Sequence, residues 1–326
     1  MTTAQLVFLY AAEELNISRA AQRAFISQQC ASNHIKNLEK HYGISLFRRK
    51  PSFALTPAGK SLYEAYQQLF SLEQNTENVM TEIRTGRSGT LRVGMNSTRT
   101  RILIPSILTG YIREFPKVQV DFSFEDTFNL VNRLRAGKLD LVVGVGTQAG
   151  ELTNLQITPI SKDSIHFLTT AAQIAEYNPT IADRAIDGTV ALEDLKPFPF
   201  CRNNRESTLT KLIDRRLYES GVALDNRYYI SDYDTQLLLC AGNVTSGFCP
   251  YMVLKRVQEQ NSVLPSENHI LDFRVREITD ALSIDLIQME YSFRPYYVRQ
   301  FVKYLRETIR QMQDNIKLYA ENKNET

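Results

Sequence analysis

A run of polar side chains follows Ser27 at a spacing that would place them on one face of a helix. These side chains are Gln28, Gln29, Ser32, Asn33 and Lys36. Glutamine and asparagine amides can make paired hydrogen bonds to adenine, and serine can contact bases or phosphates. The face therefore suits the major groove of DNA, and an ordinary solvated helix face is the alternative.

A second group of candidate residues is cationic. Arg48, Arg49 and Lys50 are consecutive, and a Pro-Ser turn and a short strand follow them. This order predicts a β-hairpin that carries positive charge to a phosphate backbone or into a minor groove. Residues 1–60 hold eight Lys or Arg and three Asp or Glu, so the excess positive charge lies there. A basic surface that merely keeps a small domain soluble is the alternative.

Three helices are predicted to position these groups, because apolar residues recur at helical spacing near the N-terminus. Ser18 is a candidate N-cap for the second helix, over residues 19–25. Ser27 is a candidate N-cap for the third helix, which runs to about His41 and ends at Gly43. Helix, tight turn and helix is the geometry that places the last helix in a major groove.

Residues 57–86 are predicted to form one long helix with an apolar seam. The seam residues follow heptad spacing and are Leu62, Tyr66, Leu69, Met80 and Ile83. A long helix with one seam and no core of its own is expected to pair with a second copy of itself. Packing on its own chain is the alternative. Residues 86–89 are then a predicted linker.

From Thr90 onward, short apolar strands alternate with helices. Strands are predicted over 91–95, 118–124, 139–145, 164–170, 227–230 and 282–289, and a closing helix over 296–319. This alternation predicts an α/β domain with a parallel sheet. Ligands of such sheets bind beyond the carboxyl ends of the strands, where helix N-termini point.

Composition narrows the class of protein. The 326 residues are 43% hydrophobic and 23% charged, which indicates two or three globular domains. No apolar run reaches the roughly 18 residues of a membrane span, and no signal peptide is recognisable, so a cytoplasmic protein without a membrane partner is expected. Four scattered cysteines without a C-x-x-C pair favour neither a disulfide scaffold nor a zinc site.

Motifs for catalysis are missing from the sequence. None of the four histidines sits in a recognisable catalytic motif, and no phosphate-binding glycine loop occurs. Asp232 and Asp234 could be mistaken for paired catalytic acids, but acids in the first turn of a helix explain them better. We therefore expect no enzyme activity, no cofactor and no metal.

The order and spacing of residues in the N-terminal region match a known pattern. The matching residues are Phe8, Ala20-Ala21, Ser27-Gln28, Ser32, Ile35, Leu38-Glu39, Leu46-Phe47, Arg49, Leu55-Thr56 and Ala58-Gly59. They resemble the winged helix-turn-helix of LysR-type transcriptional regulators. The resemblance extends to the second region through Leu139-Asp140-Leu141, Leu192-Glu193-Asp194-Leu195 and Ala241-Gly242 before Pro250.

This resemblance implies a mainly α-helical winged helix-turn-helix, a long linker helix, and an α/β effector-binding domain similar to type 2 periplasmic binding proteins. The implied bounds are 1–58 for DNA binding, 59–88 for the linker and dimerisation helix, 89–320 for the effector domain and 321–326 for a disordered tail. The effector domain would comprise one subdomain of about 90–163 with 275–320, and another of about 164–274.

The resemblance also implies which residues make contacts. The DNA-binding residues would be Ser27, Gln28, Gln29, Ser32, Asn33, Lys36, Arg48 and Arg49. The effector-binding residues would be Ser97, Thr98, Thr127, Arg202, Asn203 and Phe248, the last in a loop before Pro250. Hydroxyls at helix N-termini, together with Arg202 or Arg99, would suit a carboxylate or phosphate, and simple helix capping is the alternative.

The most concrete hypothesis is a sequence-specific transcriptional regulator of double-stranded promoter DNA. A small anionic metabolite between the effector subdomains would modulate it, and it would dimerise through residues 59–86 and form tetramers. One alternative is a redox-responsive regulator that acts through Cys201, with Arg202 and Arg205 lowering the pKa of its thiol. A solute-binding protein or enzyme without a DNA function is a further alternative.

Overall fold

The N-terminal unit consists of three helices and a small two-stranded sheet. The computed structural model describes residues 1–48, 52–85, 88–146, 154–290 and 294–324. The helices are α1 (Thr3–Glu14), α2 (Ile17–Arg23) and α3 (Gln28–Tyr42). The strands, β1 (Phe47–Arg48) and β2 (Ala54–Leu55), pair antiparallel and form the predicted hairpin.

Side-chain caps determine where these helices begin. Ser27 accepts a hydrogen bond from the Cys30 N–H at 3.2 Å, which confirms the predicted cap of α3. The predicted cap of α2 is wrong. Asn16 Oδ1 accepts the N–H groups of Ser18 and Arg19 at 2.8 and 3.1 Å, so Ser18 lies inside the helix. The amide oxygen of Asn16 satisfies two amides that would otherwise lack partners.

A separate hydrophobic core holds the N-terminal unit together. The ring of Phe8 in α1 packs on Phe47 of the hairpin at 5.4 Å and on Tyr66 at 5.7 Å, measured between ring centres. Ala20 and Ala31 are fully buried, so α2 and α3 approach each other closely. Dense packing of this kind fixes the direction in which α3 projects.

The helix α4 (Pro57–Thr85) is continuous over 29 residues, as the sequence predicts. Its first turns join the N-terminal core through Leu62 and Tyr66. The later residues of the predicted seam expose about half of their surface or more: Leu69 (47%), Met80 (59%) and Ile83 (73%). The seam is therefore buried at its start and open along the rest of the helix.

The remaining chain forms two half-sheets, the first of which begins with three parallel strands. Its elements are β3 (Gly89–Met95), α5 (Ser97–Glu114), β4 (Val118–Ser123), α6 (Thr127–Arg135) and β5 (Leu141–Val145). β3 lies between β4 and β5, and β12 (Ala281–Met289) adds to β5 antiparallel. Because the strands are parallel, α5 and α6 begin at the same edge of the sheet.

The second half-sheet contains the other strands and most of the short helices. Its elements are α7 (Ala171–Tyr177), α8 (Ile181–Arg184), β7 (Thr189–Val190), β8 (Pro199–Arg202), α9 (Thr208–Ser220), β9 (Asp225–Tyr229), α10 (Tyr233–Ala241), β10 (Ser246–Pro250), α11 (Leu254–Asn261) and β11 (Ile270–Val275). β8, parallel to β9 and β10, lies between them.

One long strand, β6 (Leu155–Thr170), belongs to both halves. Residues 155–164 pair with β12, and residues 165–170 pair with β10 and β11. The strand order is therefore β4-β3-β5-β12-β6-β10-β8-β9. β6 begins well before the predicted Ser164. The first part of the strand was missed because it alternates polar and apolar residues beside β12 and lacks an unbroken apolar run.

The closing helix α12 (Tyr296–Asn324) packs on α5, where the Tyr111 hydroxyl donates to the Tyr297 carbonyl at 3.0 Å. The predicted end of this helix at Tyr319 and the predicted disorder from 321 onward are wrong as far as Asn324. The segment contains no glycine or proline, and its alanine, glutamate and lysine favour a helix. None of the described helices combines the length and apolar composition needed to cross a bilayer.

Candidate nucleic-acid interface and effector cleft

The polar face of α3 points away from the N-terminal core. Ala31 and Ile35 are buried on the opposite side of the helix. Five of the predicted DNA-binding side chains are exposed and one is half-buried: Ser27, Gln28, Gln29, Asn33 and Lys36, and Ser32. The helical period alone places these groups together, because residues three and four positions apart share a face.

The hairpin, or wing, lies next to α3 and is tied to it by a carboxylate. Glu39 Oε1 accepts the N–H groups of Leu46 and Phe47 at 2.8 and 3.2 Å. Phe47 stacks on Phe53 across the hairpin, with ring centres 4.6 Å apart. Glu39 matches the family motif, but no local pattern in the sequence indicates this positioning role. Arg48 is exposed on β1.

Arg49, the other predicted wing residue, lies outside the described residues. Its assignment to DNA therefore stays a prediction that rests on the sequence alone.

The predicted effector-binding hydroxyls lie at two helix starts, but they do not cap them. Asn96 caps α5 by accepting the Arg99 N–H at 2.9 Å, which leaves Ser97 exposed and Thr98 half-buried. Asp126 caps α6 in the same way. Thr127 Oγ1 instead accepts the Val145 N–H at 3.3 Å, which joins the start of α6 to the end of β5.

Two of the other predicted effector residues have packing roles. Arg202 is buried, and its guanidinium donates to Asp214 Oδ1 at 2.7 Å and to the Thr210 carbonyl at 3.0 Å, both on α9. Its charge is therefore used within the second half-sheet. Phe248 lies in β10 rather than in a loop, and its buried ring stacks on Phe200 with centres 5.0 Å apart. The prediction of Phe248 in a loop is wrong, and both side chains are buried in packing contacts. Their contact with an effector stays a prediction.

Asn203 directly follows β8 and is half-buried. Its carbonyl accepts the Thr210 hydroxyl at 3.1 Å, and its side chain hydrogen-bonds to Tyr233 of α10. Asn203 therefore contacts the first turns of both α9 and α10.

Charged residues join the two halves where α5 and α10 begin. Arg101 of α5 pairs with Asp232 at 3.1 Å between Nη1 and Oδ1, and it also pairs with Asp234 of α10. Arg256 of α11 donates from Nε to Asp234 at 3.1 Å. The sequence predicts the two aspartates as acids in the first turn of a helix. It does not indicate their arginine partners, because Arg101 and Arg256 are distant along the chain.

A buried ion pair lies close to this bridge. Arg99 of α5 and Asp163 of β6 expose 2% and 1% of their surface, and their closest charged atoms are 3.9 Å apart. Burial raises the pKa of the Asp163 carboxyl to about 6, although the charge of Arg99 acts to lower it. Burial likewise lowers the pKa of Arg99. Among the described residues, Arg99 Nε and Asp163 Oδ2 are buried without a hydrogen-bond partner.

The three buried cysteine thiols, those of Cys201, Cys240 and Cys249, are placed unfavourably for redox chemistry. Cys201 is buried in β8, and burial raises the pKa of its thiol. The expectation that Arg202 and Arg205 lower this pKa is wrong, because Arg202 pairs with Asp214 and Arg205 lies over the ring of Tyr229. A thiolate is the reactive form of cysteine, so burial of this kind makes a thiol inert.

A Ser-His-Asp row crosses β6 and β11. Ser164 Oγ lies 3.1 Å from His166 Nε2, and His166 Nδ1 lies 3.0 Å from Asp272 Oδ2. The sequence could not show this row, because its members lie on two strands far apart along the chain. Ser164 and Ile165 are strand residues that lie opposite Ala281 of β12 and Pro250 of β10. A hydrolase needs donors directed at an oxyanion in addition to such a row.

Comparisons with known proteins agree with this architecture. Residues 4–60 match the family model of the bacterial regulatory helix-turn-helix proteins of the lysR family, and residues 84–309 match the LysR substrate binding domain. A probable RuBisCO transcriptional regulator from Trieres chinensis is 29% identical over 221 residues, which cover 67% of this chain and 69% of that protein. Further relatives of that name are covered over 60% of their length.

Solved structures show the same fold. A full-length OxyR variant from Pseudomonas aeruginosa has a TM-score of 0.64 at 19% identity, and the alignment covers 95% of both chains. Full-length CbnR in complex with its target DNA has a TM-score of 0.56 at 19% identity, covering 94% of this chain and 100% of that one. With both family models matched in order along one chain, the protein belongs to the LysR family and is a LysR-type transcriptional regulator with an effector-binding domain.

Proposed function

We propose that the chain binds specific promoter sequences through the polar face of α3. Base edges would be contacted by Gln28, Gln29, Ser32, Asn33 and Lys36, with Ser27 at the start of the helix. Arg48 and Arg49 of the wing would contact the backbone or the minor groove. The observation that carries this proposal is the exposed polar face of α3, held beside a cationic wing by the Glu39 carboxylate.

The open seam of α4 supports a homodimer formed through residues 59–86. Met80 and Ile83 are exposed on the later turns of α4, beyond the part of the helix that packs in the N-terminal core. Burying such side chains against a second copy of the helix is favourable. Two such dimers would make the tetramer that the family resemblance implies. The proposed units are 1–58 for DNA, 59–88 for dimerisation and 89–320 for the effector.

The effector would bind between the two half-sheets, at the starts of α5 and α6. Ser97, Thr98 and Thr127 offer hydroxyls there, and Asn203 offers an amide from the opposite side. Amides at a helix start and nearby hydroxyls favour an anionic oxygen group. A small metabolite with a carboxylate or phosphate is therefore the proposed class of effector. Enzymatic activity is no part of this function.

The test is fluorescence anisotropy with the promoter duplex next to the protein's own gene and an unrelated duplex, at several salt concentrations. We expect a preference for the promoter of about 10³-fold or more. Arg48→Ala should weaken binding to both duplexes and reduce the salt dependence. Gln28→Ala should instead change which promoter variants are preferred.

Lys303→Ala is the matched control for Arg48→Ala, because Lys303 is an exposed cation on α12. Equal and weak binding of the unaltered chain to both duplexes would contradict a specific regulator at that promoter. Equal losses from Gln28→Ala on every sequence would contradict the assignment of base readers.

A further inference from the structure

The space between the starts of α5 and α10 is too small for a metabolite in this structure. Thr98, Arg101, Tyr233, Asp234 and Arg256 line a void of about 10 Å³. A void of this size has room for about one water molecule. An effector that enters between the half-sheets must therefore displace side chains that already fill the space.

Asp234 is the side chain that bridges the two halves at this void. Its carboxylate pairs with Arg101 of the first half and with Arg256 of the second half, 3.1 Å from Arg256 Nε. Asp232 also pairs with Arg101 through Oδ1 at 3.1 Å, but its Oδ2 accepts the Thr235 N–H at 2.9 Å and caps α10. Arg256 also pairs with Glu259 of its own helix, so Asp234 is the carboxylate that both arginines share. Asp234 is thus the anionic group held between two guanidinium groups that lie on opposite sides of the cleft.

The surroundings of this carboxylate favour negative charge. Asp234 lies in the first turn of α10, where unpaired backbone amides carry partial positive charge. Thr98 lies in the first turn of α5 and adds a hydroxyl to the lining. Both guanidinium groups can form paired hydrogen bonds to carboxylate or phosphate oxygens.

A buried ion pair lies close to the void. Tyr233 lines the void and interacts electrostatically with Arg99 and Asp163, which do not line it themselves. Both of those side chains are more than nine-tenths buried, and each has a polar atom without a hydrogen-bond partner among the described residues. Charged groups therefore lie beside the void as well as on its lining.

We propose that Arg101 and Arg256 form the anion-binding pair of the cleft and that Asp234 occupies this pair in the absence of effector. A small molecule with a carboxylate or phosphate group displaces Asp234 and takes over its two arginines. Because Asp234 joins the two halves, its displacement couples binding to a change in how the halves meet. This inference rests on the proposed function, since it names the residues that hold the acidic group of the effector.

The experiment measures binding of inorganic phosphate to the full chain by calorimetry, at constant ionic strength adjusted with sodium chloride. Asp234→Asn removes the one carboxylate that both arginines share and keeps the shape of the side chain, while Asp232 and Glu259 stay paired with Arg101 and Arg256. We expect this variant to bind phosphate at least about fivefold more tightly than the unaltered chain, because it removes a close ion pair. Arg101→Gln or Arg256→Gln, added to Asp234→Asn, should abolish the gain.

Asp280→Asn is the matched control, because Asp280 also accepts from two arginines, Arg215 and Arg216, but on another face. It should leave phosphate affinity unchanged. Circular dichroism and the melting temperature without phosphate check that each variant folds. Phosphate binding by Asp234→Asn that equals that of the unaltered chain, or an equal gain in Asp280→Asn, would overturn the proposal.

The promoter-binding experiment keeps this inference separate from the proposed function. Specific promoter binding without a gain in Asp234→Asn removes the inference and keeps the regulator. A gain in phosphate affinity without promoter binding keeps the anion site and removes the proposed DNA function.

Discussion

Lys138 Nζ lies 3.5 Å from Glu13 Oε2, so the turn after α6 touches the first helix of the DNA-binding unit. Gly137, in the same turn, packs on Ser71 of α4. The helix α6 begins at Thr127, on the cleft edge, and ends against both α1 and α4. One short helix therefore connects the proposed effector site with the DNA-binding unit, which gives a physical route for coupling the two.

Gly137→Ala tests the contact between the α6 turn and α4. Gly137 has a φ of +67°, and an added Cβ would lie 3.3 Å from Ser71 Cα. Gly188→Ala is a matched control, because Gly188 has a φ of +68° with nothing within 4 Å of its added Cβ. The left-handed backbone should lower the free energy of unfolding by about 1–2 kcal/mol in both variants. Urea denaturation should show a larger loss for Gly137→Ala, and equal losses would show that the contact is loose.

Glu39→Ala should loosen the wing. The substitution leaves two partly buried amides, those of Leu46 and Phe47, without their acceptor, which costs about 1–3 kcal/mol. We expect a lower melting temperature and weaker binding to every DNA sequence in anisotropy titrations. Glu39→Gln retains an acceptor oxygen and should recover most of both losses. Glu64→Ala, at an exposed position of α4, is the control; a loss there of similar size would argue against a specific tie.

The buried Asp163 carboxyl predicts a pH dependence of stability. Burial raises its pKa to about 6 from an ordinary value of 3.8, so the folded chain holds this proton more tightly than the unfolded chain. Relative to Asp163→Asn, the unaltered chain should therefore gain stability as the pH falls through 6 toward 3.8, by at most about 3 kcal/mol. Urea unfolding at pH 4.5 to 7.5 measures this difference. Asp314→Asn, on the exposed face of α12, should show none, and parallel curves for Asp163→Asn would refute the assignment.

Alkylation of the native chain tests the redox alternative. Burial raises the pKa of the Cys201 thiol, and it raises that of Cys240 to about 12. With iodoacetamide and mass spectrometry, we expect the partly exposed Cys30 to react first, with Cys201, Cys240 and Cys249 reacting only after denaturation. Cys30→Ser should remove the fast reaction. Modification of native Cys201 as quickly as Cys30 would restore the redox hypothesis.

The Ser164 row should not hydrolyse esters. Its serine lies within a paired strand, opposite Ala281 of β12, and a hydrolase also needs donors directed at the oxyanion. We expect the full chain and Ser164→Ala to release nitrophenol from p-nitrophenyl acetate at the same slow rate. A clear loss of rate in Ser164→Ala, with the fold preserved, would show a catalytic serine.

Local periodicity carried much of the N-terminal prediction. Ser27 caps α3 because its neighbours along the chain supply the amides, and Ala31 and Ile35 are buried because residues four apart share a face. Even there, Asn16 rather than Ser18 caps α2, because the helix begins at Ile17, two residues before the predicted start. The contacts of α3 with DNA stay a prediction, since they depend on a partner that the fold does not include.

The sequence by itself determined the three N-terminal helices, the polar face of α3 and the long helix α4, because each depends on residues within a few positions. Tertiary structure decided the cleft. The sequence predicts Arg202 and Phe248 as effector-binding residues, but in the fold Arg202 pairs with Asp214 of α9 and Phe248 stacks on Phe200 in the core. Arg101 meets Asp234, which lies 133 positions away. No local pattern can predict such a pair, because it exists only where β6 brings the two half-sheets together.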